Sequence, residues 1–291
     1  MALRIDGAID MHCHYGPDFT ARSAEAGHNH AVTGLQAAQE AAASGHRAIV
    51  LKSHSLASST LAYALDQATP DLRVFGGTCT DYPCGGLNPE TVDTALRLGG
   101  KIVWLPTVHS HQDWLNGKGE RVGTRGEGLK VIGDDGEPTP EVKEIAALVR
   151  ERGAVLATGH TTAAEHYAIA RAFGKECRTL ATHAGEHLAG PHLSAQQCCE
   201  LADLGMTIEL TALTCDHVLG QQGKDPREMV EMMHHIGCDR CVLATDYGWT
   251  TAVPHPAAGL QGFMETLWSL GVSEAELTTM AAHNPARMLG L

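Results

Sequence analysis

Residues 7–14 read Gly-Ala-Ile-Asp-Met-His-Cys-His, and the interpretation of the whole chain grows from this stretch. A short run of this kind, opened by glycine and rich in apolar residues, fits a buried strand. It runs out into His12 and His14, two side chains able to ligate a metal. Residues two apart on a strand face the same side. Asp10, His12 and His14 are therefore expected on one face, where two imidazoles can chelate a single ion.

The same kind of segment recurs at regular intervals. Strands are expected at 7–11, 47–51, 72–75, 101–105, 154–157, 178–182, 206–210 and 241–245. Between them lie segments of helical period, at 33–44 (stopped by Gly45), 60–67, 90–98, 141–152, 163–173, 194–204 (with Ser194 as N-cap) and 226–236. Two more, near 260–270 and 274–282, finish the chain. Residues 109–140 break the rhythm: they are rich in Gly, Asp, Glu and Asn and read as a long structureless excursion on the side of the active strand ends. Eight strands alternating with helices predict an α/β chain, a (β/α)8 TIM barrel with a long loop after strand 4, as one domain over residues 1–291. A doubly wound sheet is the runner-up, weakened because no glycine-rich phosphate loop follows the first strand.

Composition narrows the function. The 291 residues carry a net charge of −13 with no cluster of lysines or arginines, which speaks against a nucleic-acid surface. An anionic small substrate, held by one or two placed cations, stays compatible. No stretch approaches the ~20 apolar residues of a membrane span, and the first residues lack a signal-like apolar core, so a cytoplasmic location is expected. The nine cysteines are irregularly spaced and expected to be reduced. Cys238-Asp-Arg-Cys241 has no matching second pair and reads as core, as does Cys198-Cys199 on its helix.

In barrels the reactive residues gather where strands end. Here those ends carry Asp10, His12 and His14, then Lys52 and His54, then His160, His183 and Asp246. Strand parity places Lys52 and His54 on a common face. Imidazole and carboxylate donors suit Zn2+, and also Mn2+ or Co2+. Each residue alone has an ordinary reading: a chance His-x-His, a satisfied core histidine, a capping aspartate. Their conjunction at successive strand ends points to a metal site.

The Asp-x-His-x-His motif, the histidines after strands five and six and the aspartate after strand eight together resemble the amidohydrolase superfamily. The ending His283-Asn-Pro-Ala-Arg-Met-Leu-Gly290 is similar to one that many members share. Gly85-Gly-Leu-Asn-Pro89 and Val103-Trp-Leu-Pro-Thr107 resemble a functionally undefined branch of it. The resemblance covers essentially the whole chain. It implies metal ligation by His12, His14, His160, His183 and Asp246, and activated water attacking an amide, lactone, ester or related centre in a small molecule. It also implies a homo-oligomer.

One departure matters. Two-metal members bridge their ions with a carboxylated lysine or a glutamate at the end of strand four, where this chain has Pro106-Thr-Val-His109. Lys52 either takes that bridging part from strand two or binds substrate as an ammonium, and a lysine merely snorkelling from a strand end is the ordinary alternative. One ion and two thus both stay open, and with one ion His183 is free to contact substrate or the reactive water. Asp246 is the expected proton acceptor and donor, and Asp10 an outer hydrogen-bonding support. Arg22 is a candidate anchor for a substrate carboxylate or phosphate, balanced by its reading as a solvated loop arginine. His54, His109 and His111 are candidates for the pocket lining. His28-Asn-His30 precedes a helix and is read as a decoy, and His234-His235 as surface. Hydrolysis of a small amide or lactone, cyclic substrates included, leads. A metal-dependent decarboxylase or lyase is the alternative, and a TatD-like nuclease or a non-catalytic relative follows.

Overall fold

The computed structural model describes residues 3, 5–18 and 31–291. Arg22, His28 and His30 lie outside the described residues. Among the described residues, nine parallel strand segments run in chain order: β1 (Ile9–His14), β2 (Ala48–Lys52), β3 (Arg73–Phe75), β4 (Gly77–Cys79), β5 (Ile102–Trp104), β6 (Val155–Ala157), β7 (Arg178–Ala181), β8 (Thr207–Thr211) and β9 (Cys241–Ala244). The helices are α1 (Gly34–Ala43), α2 (Ser59–Ala68), α3 (Pro89–Arg97), α4 (His111–Leu115), α5 (Gly119–Val122), α6 (Pro140–Glu151), α7 (Ala163–Phe173), α8 (Ala195–Asp203), α9 (Pro226–Ile236), α10 (Pro256–Ser269), α11 (Glu274–Thr278) and α12 (Asn284–Leu289).

The nine segments make eight staves, because β3 and β4 are two halves of one. β3 pairs with β2 and β4 with β5, and the chain bends between them at Gly76. A Cβ on Gly77 would stand 2.1 Å from the Ile102 carbonyl oxygen, so only glycine allows that close approach. In sequence the Gly-Gly pair looks like the end of a strand. In space it is a joint within one.

The barrel closes where β1 meets the segment after β9. Asp246 N donates to the His12 carbonyl at 3.0 Å and His14 N to the Tyr247 carbonyl at 2.8 Å. Asp10 fastens the same seam, its carboxylate accepting from His12 N at 3.0 Å, Thr245 N at 3.1 Å and Thr245 Oγ1 at 2.5 Å. The β1–β2 register slips between Asp10 and Cys13. Such a bulge re-aims the residues that follow it, and it corrects the simple parity expected for β1. Ile9 and Met11 join the barrel interior with Val50, Phe75, Trp104 and Leu180, while Cys13 packs outward with Ala37 and Ala41 of α1. Asp10 therefore grips backbone, whereas His12 and His14 both reach the open end of the barrel.

The helices bury one face each against the outward strand residues. Val142, Ile145, Ala146 and Val149 of α6 pack with Val103 and Leu156, each large aliphatic group contributing about 1.5–3 kcal/mol when buried. Thr162 and Ser194 start α7 and α8 with reciprocal capping boxes. At the C terminus Asn284 Nδ2 donates to the carbonyls of Cys238 and Cys241, at 3.0 and 2.6 Å. The family-like ending thus secures the start of β9, the end of the barrel remote from the histidines.

The excursion is not structureless. It holds α4 and α5, and Ser110 caps α4 by accepting from Asp113 N at 3.1 Å. Glu165 of α7 accepts from Val131 N at 2.8 Å and also closes its own helix cap. That fastens the far end of the excursion to the barrel wall. Composition concealed these elements because their contacts are with other loops rather than along an amphipathic face. All nine cysteines are free. Among the described residues no helix is long and apolar enough to cross a membrane.

Candidate active site

The C-terminal ends of the staves surround a cavity of about 220 Å3. His14, Lys52, His54, His160, His183 and Asp246 form its polar floor, and its walls include Val108, Val122, Leu188, Leu213, Leu219 and Trp249. His12 lies just beneath. His12, His14 and Asp246 place one ligand atom each within 4.8 Å of one another. Asp246 Oδ1 is the shared atom, 3.0 Å from His12 Nε2 and 2.9 Å from His14 Nε2. The ring centroids of His160 and His183 are 4.8 Å apart, and His183 is 5.8 Å from His12. The structure thus brings the strand-one, strand-five, strand-six and strand-eight residues together.

The backbone is strained where it presents two of them. His183 and Asp246 have φ of +31° and +59°, a region that non-glycine residues enter at a cost and that clusters at functional sites.

Two buried carboxylates absent from the sequence reading organise the rings. Glu209, on β8 and 0% exposed, places Oε2 3.0 Å from His12 Nδ1 and accepts from His183 N at 2.9 Å. Asp113, on α4, places Oδ2 2.8 Å from His160 Nδ1. A carboxylate on Nδ1 of a histidine whose other nitrogen faces a cavity is the usual support of a metal-ligating imidazole. Glu209 had a legible signal: it interrupts the apolar strand Thr207–Thr211 at the parity opposite to the outward Ile208 and Leu210. Asp113 had none.

Lys52 is 1% exposed, with Nζ 2.9 Å from His12 Nε2 and 5.6 Å from the Trp104 ring centre. His54 Nδ1 lies 2.7 Å from Thr107 Oγ1, which donates in turn to the Asp81 carboxylate. His109 is not in this cavity. Its Nε2 pairs with the Val122 carbonyl at 2.9 Å, and it lines a neighbouring hollow with Tyr82 and Arg125. His111 is half-buried and stacks on Trp114, its ring 5.5 Å away.

The electrostatics follow from burial and pairing. Burial alone would raise the Asp246 carboxyl, but His12 and His14 outweigh it and hold the group well below the usual carboxylate range. Burial lowers His12 and so does Lys52, yet Asp246 and Glu209 outweigh both and lift it to about 9. Burial brings His14 down to about 3, and burial with the neighbouring His160 lowers His183. The donors also fit a cation: His183 buries an Nδ1 without a hydrogen-bond partner beside the converging atoms of His12, His14 and Asp246, and the set of imidazoles and one carboxylate is that of a divalent ion such as zinc.

A family model described as a family of unknown function, DUF6282, matches residues 7–209. The chain belongs to this family. No curated protein matches the sequence. Among solved structures, an amidohydrolase from Burkholderia multivorans with bound zinc superposes with a TM-score of 0.61 at 13% identity, covering 98% of this chain and 99% of that one. An amidohydrolase from Pseudomonas aeruginosa gives 0.59 at 12% identity, covering 98% and 95%. A 2,6-dihydroxybenzoate decarboxylase from Rhizobium gives 0.58 at 11% identity, covering 99% of both chains. At these identities the likeness is one of fold. The amidohydrolase-type barrel expected from the motifs is the fold of this chain, and its family is one of unknown function.

Proposed function

We propose that this chain is a metal-dependent hydrolase acting on a small molecule, cleaving an amide, lactone or related bond. The observation that carries this reading is the convergence of His12 Nε2, His14 Nε2 and Asp246 Oδ1 at the floor of the cavity. His12, His14 and Asp246 would hold the ion, with His160 and His183 beside them. Zinc suits the donors best, and manganese or cobalt also fit. When bound, such an ion supplies Lewis acidity and makes water acidic enough to attack near neutral pH.

The chain's own groups do the rest. Asp246, ionised and at the cavity, accepts the proton of the attacking water at its carboxylate and returns it to the leaving group. The Lys52 ammonium offsets the negative charge of Asp246 and Glu209 around His12. A cation at His12 Nε2 must displace Nζ, which lies 2.9 Å from that atom. Turned from it, the ammonium lies at the cavity and donates to a substrate oxygen. The mixed walls, with Leu188, Leu213 and Trp249 beside Lys118, Glu186 and Gln221, suit a molecule with an apolar body and polar groups at its edge.

Decarboxylation on the same scaffold is the second reading, favoured by one observation. Lys118, beside the cavity with Nζ 3.5 Å from Asp113 Oδ1, is a cation within reach of a substrate carboxylate.

The test is turnover of two panels by zinc-, manganese- and cobalt-loaded protein: small amides and lactones, and aromatic carboxylic acids followed by CO2 release. Hydrolysis that falls about 10²–10⁴-fold in Asp246→Asn supports the proposal. CO2 release without hydrolysis moves it to the second reading, and turnover unaffected by chelation or by Asp246→Asn contradicts both.

A further inference from the structure

Asp113 reaches the cavity from an element that barrel logic does not associate with the metal ligands. It sits on α4, within the excursion, and is 2% exposed. Its Oδ2 lies 2.8 Å from His160 Nδ1. Its Oδ1 accepts from Gly190 N at 3.3 Å and lies 3.5 Å from Lys118 Nζ. Nearby, Asn116 Nδ2 donates to the Gly190 carbonyl at 3.1 Å, and Lys118 Nζ donates to the Leu188 carbonyl. A few residues of the excursion thus grip both His160 and the loop that follows His183.

An ionised carboxylate only accepts hydrogen bonds. The hydrogen of the His160–Asp113 contact must therefore belong to Nδ1 of the imidazole. A neutral ring with its proton on Nδ1 carries its lone pair on Nε2, and His160 lines the cavity. Released from this partner, an imidazole side chain favours the opposite tautomer, with Nε2 protonated and unable to ligate.

We propose that Asp113 is a positioning residue for the metal centre, fixing His160 with its proton on Nδ1 so that Nε2 is offered to the ion. The inference rests on the metal-binding reading above and extends it. The excursion is then part of the metal site as well as a wall of the cavity, because α4 carries the residue that sets a ligand's tautomer.

The experiment uses full-length protein and Zn2+ alone. Long-range 1H–15N correlation spectra of the metal-free wild type report which nitrogen of His160 bears the proton, and Nδ1 is expected. Asp113→Asn should move the proton toward Nε2 and weaken Zn2+ affinity about 10–100-fold in chelator competition. Ser110→Ala, which loosens the α4 cap without touching the carboxylate, should leave tautomer and affinity as in the wild type. A wild-type His160 protonated on Nε2 overturns the proposal and needs no variant, so an Asp113→Asn protein that fails to fold does not shield it. Equal Zn2+ affinity in the wild type and Asp113→Asn overturns it while leaving the proposed function standing. A wild type that binds no Zn2+ removes both.

Discussion

At the scale of residues, the candidate centre depends on buried carboxylates behind the histidines. Glu209 ties His12 of β1 to the backbone of His183 after β7, so it holds two staves' contributions in register. Glu209→Gln keeps the shape but removes the charge and one acceptor. It is expected to lower Zn2+ affinity about 10–100-fold, measured by chelator competition. Protonation supplies a second prediction. With its pKa lifted to about 9, His12 is protonated at neutral pH without metal, and a ligand must be unprotonated. Zn2+ affinity should thus rise with pH, roughly tenfold per unit for one displaced proton, and level off near pH 9. A flat profile from pH 6 to 9 would contradict it. A third concerns stability. His166 of α7 is brought down to about 4 by burial, below its unfolded value near 6.5. The unfolded chain therefore binds the extra proton between those values, so stability from this group is full above pH 6.5 and falls as pH drops toward 4, by about 3 kcal/mol in all. Urea unfolding at pH 7 and 5 should show a smaller loss on acidification in His166→Gln. His12, His14, His160, His183 and Asp246 were legible because strand ends carry them in barrel order. Asp113 was not, since its partner is fixed only by how a loop folds back.

At the scale of elements, the strand and helix pattern was readable because each helix covers the outward parity of a neighbouring strand, which leaves period in the sequence. The misses share a cause: they occur where contact is made by backbone. The bent third stave depends on the bare backbone of Gly77 against β5, and the β1 bulge on the Asp10 carboxylate holding main-chain amides across the seam. The excursion hid α4 and α5 for the same reason, being held by Ser110, Glu165 and Gly190 rather than by an apolar face. The seam offers a sharp test. Gly248 has φ of +111°, and a Cβ there would stand 1.9 Å from the His14 carbonyl oxygen. Gly248→Ala must push β1 away from the segment bearing Asp246. It is expected to cost at least about 1–3 kcal/mol of stability and to weaken metal binding together with it. A variant of wild-type stability and metal content would mean that the seam does not align the ligands.

At the scale of the whole molecule, the parts serve one arrangement: a parallel barrel whose N-terminal end is packed and tied by Asn284, and whose C-terminal end opens onto histidines on the floor of a cavity. The groups that would hold an ion, His12, His14 and Asp246, are brought together only by the fold. A bound ion should consequently stabilise the fold, by about 2.7 kcal/mol at a hundred times its dissociation constant. The most direct test of the account is the metal content of protein purified without chelators, by elemental analysis, beside His12→Ala and Asp246→Asn. The account predicts at least one divalent ion, zinc foremost, per wild-type chain and its loss from folded variants. A wild type free of metal even after incubation with zinc, manganese or cobalt, or variants that keep a full complement, would contradict it.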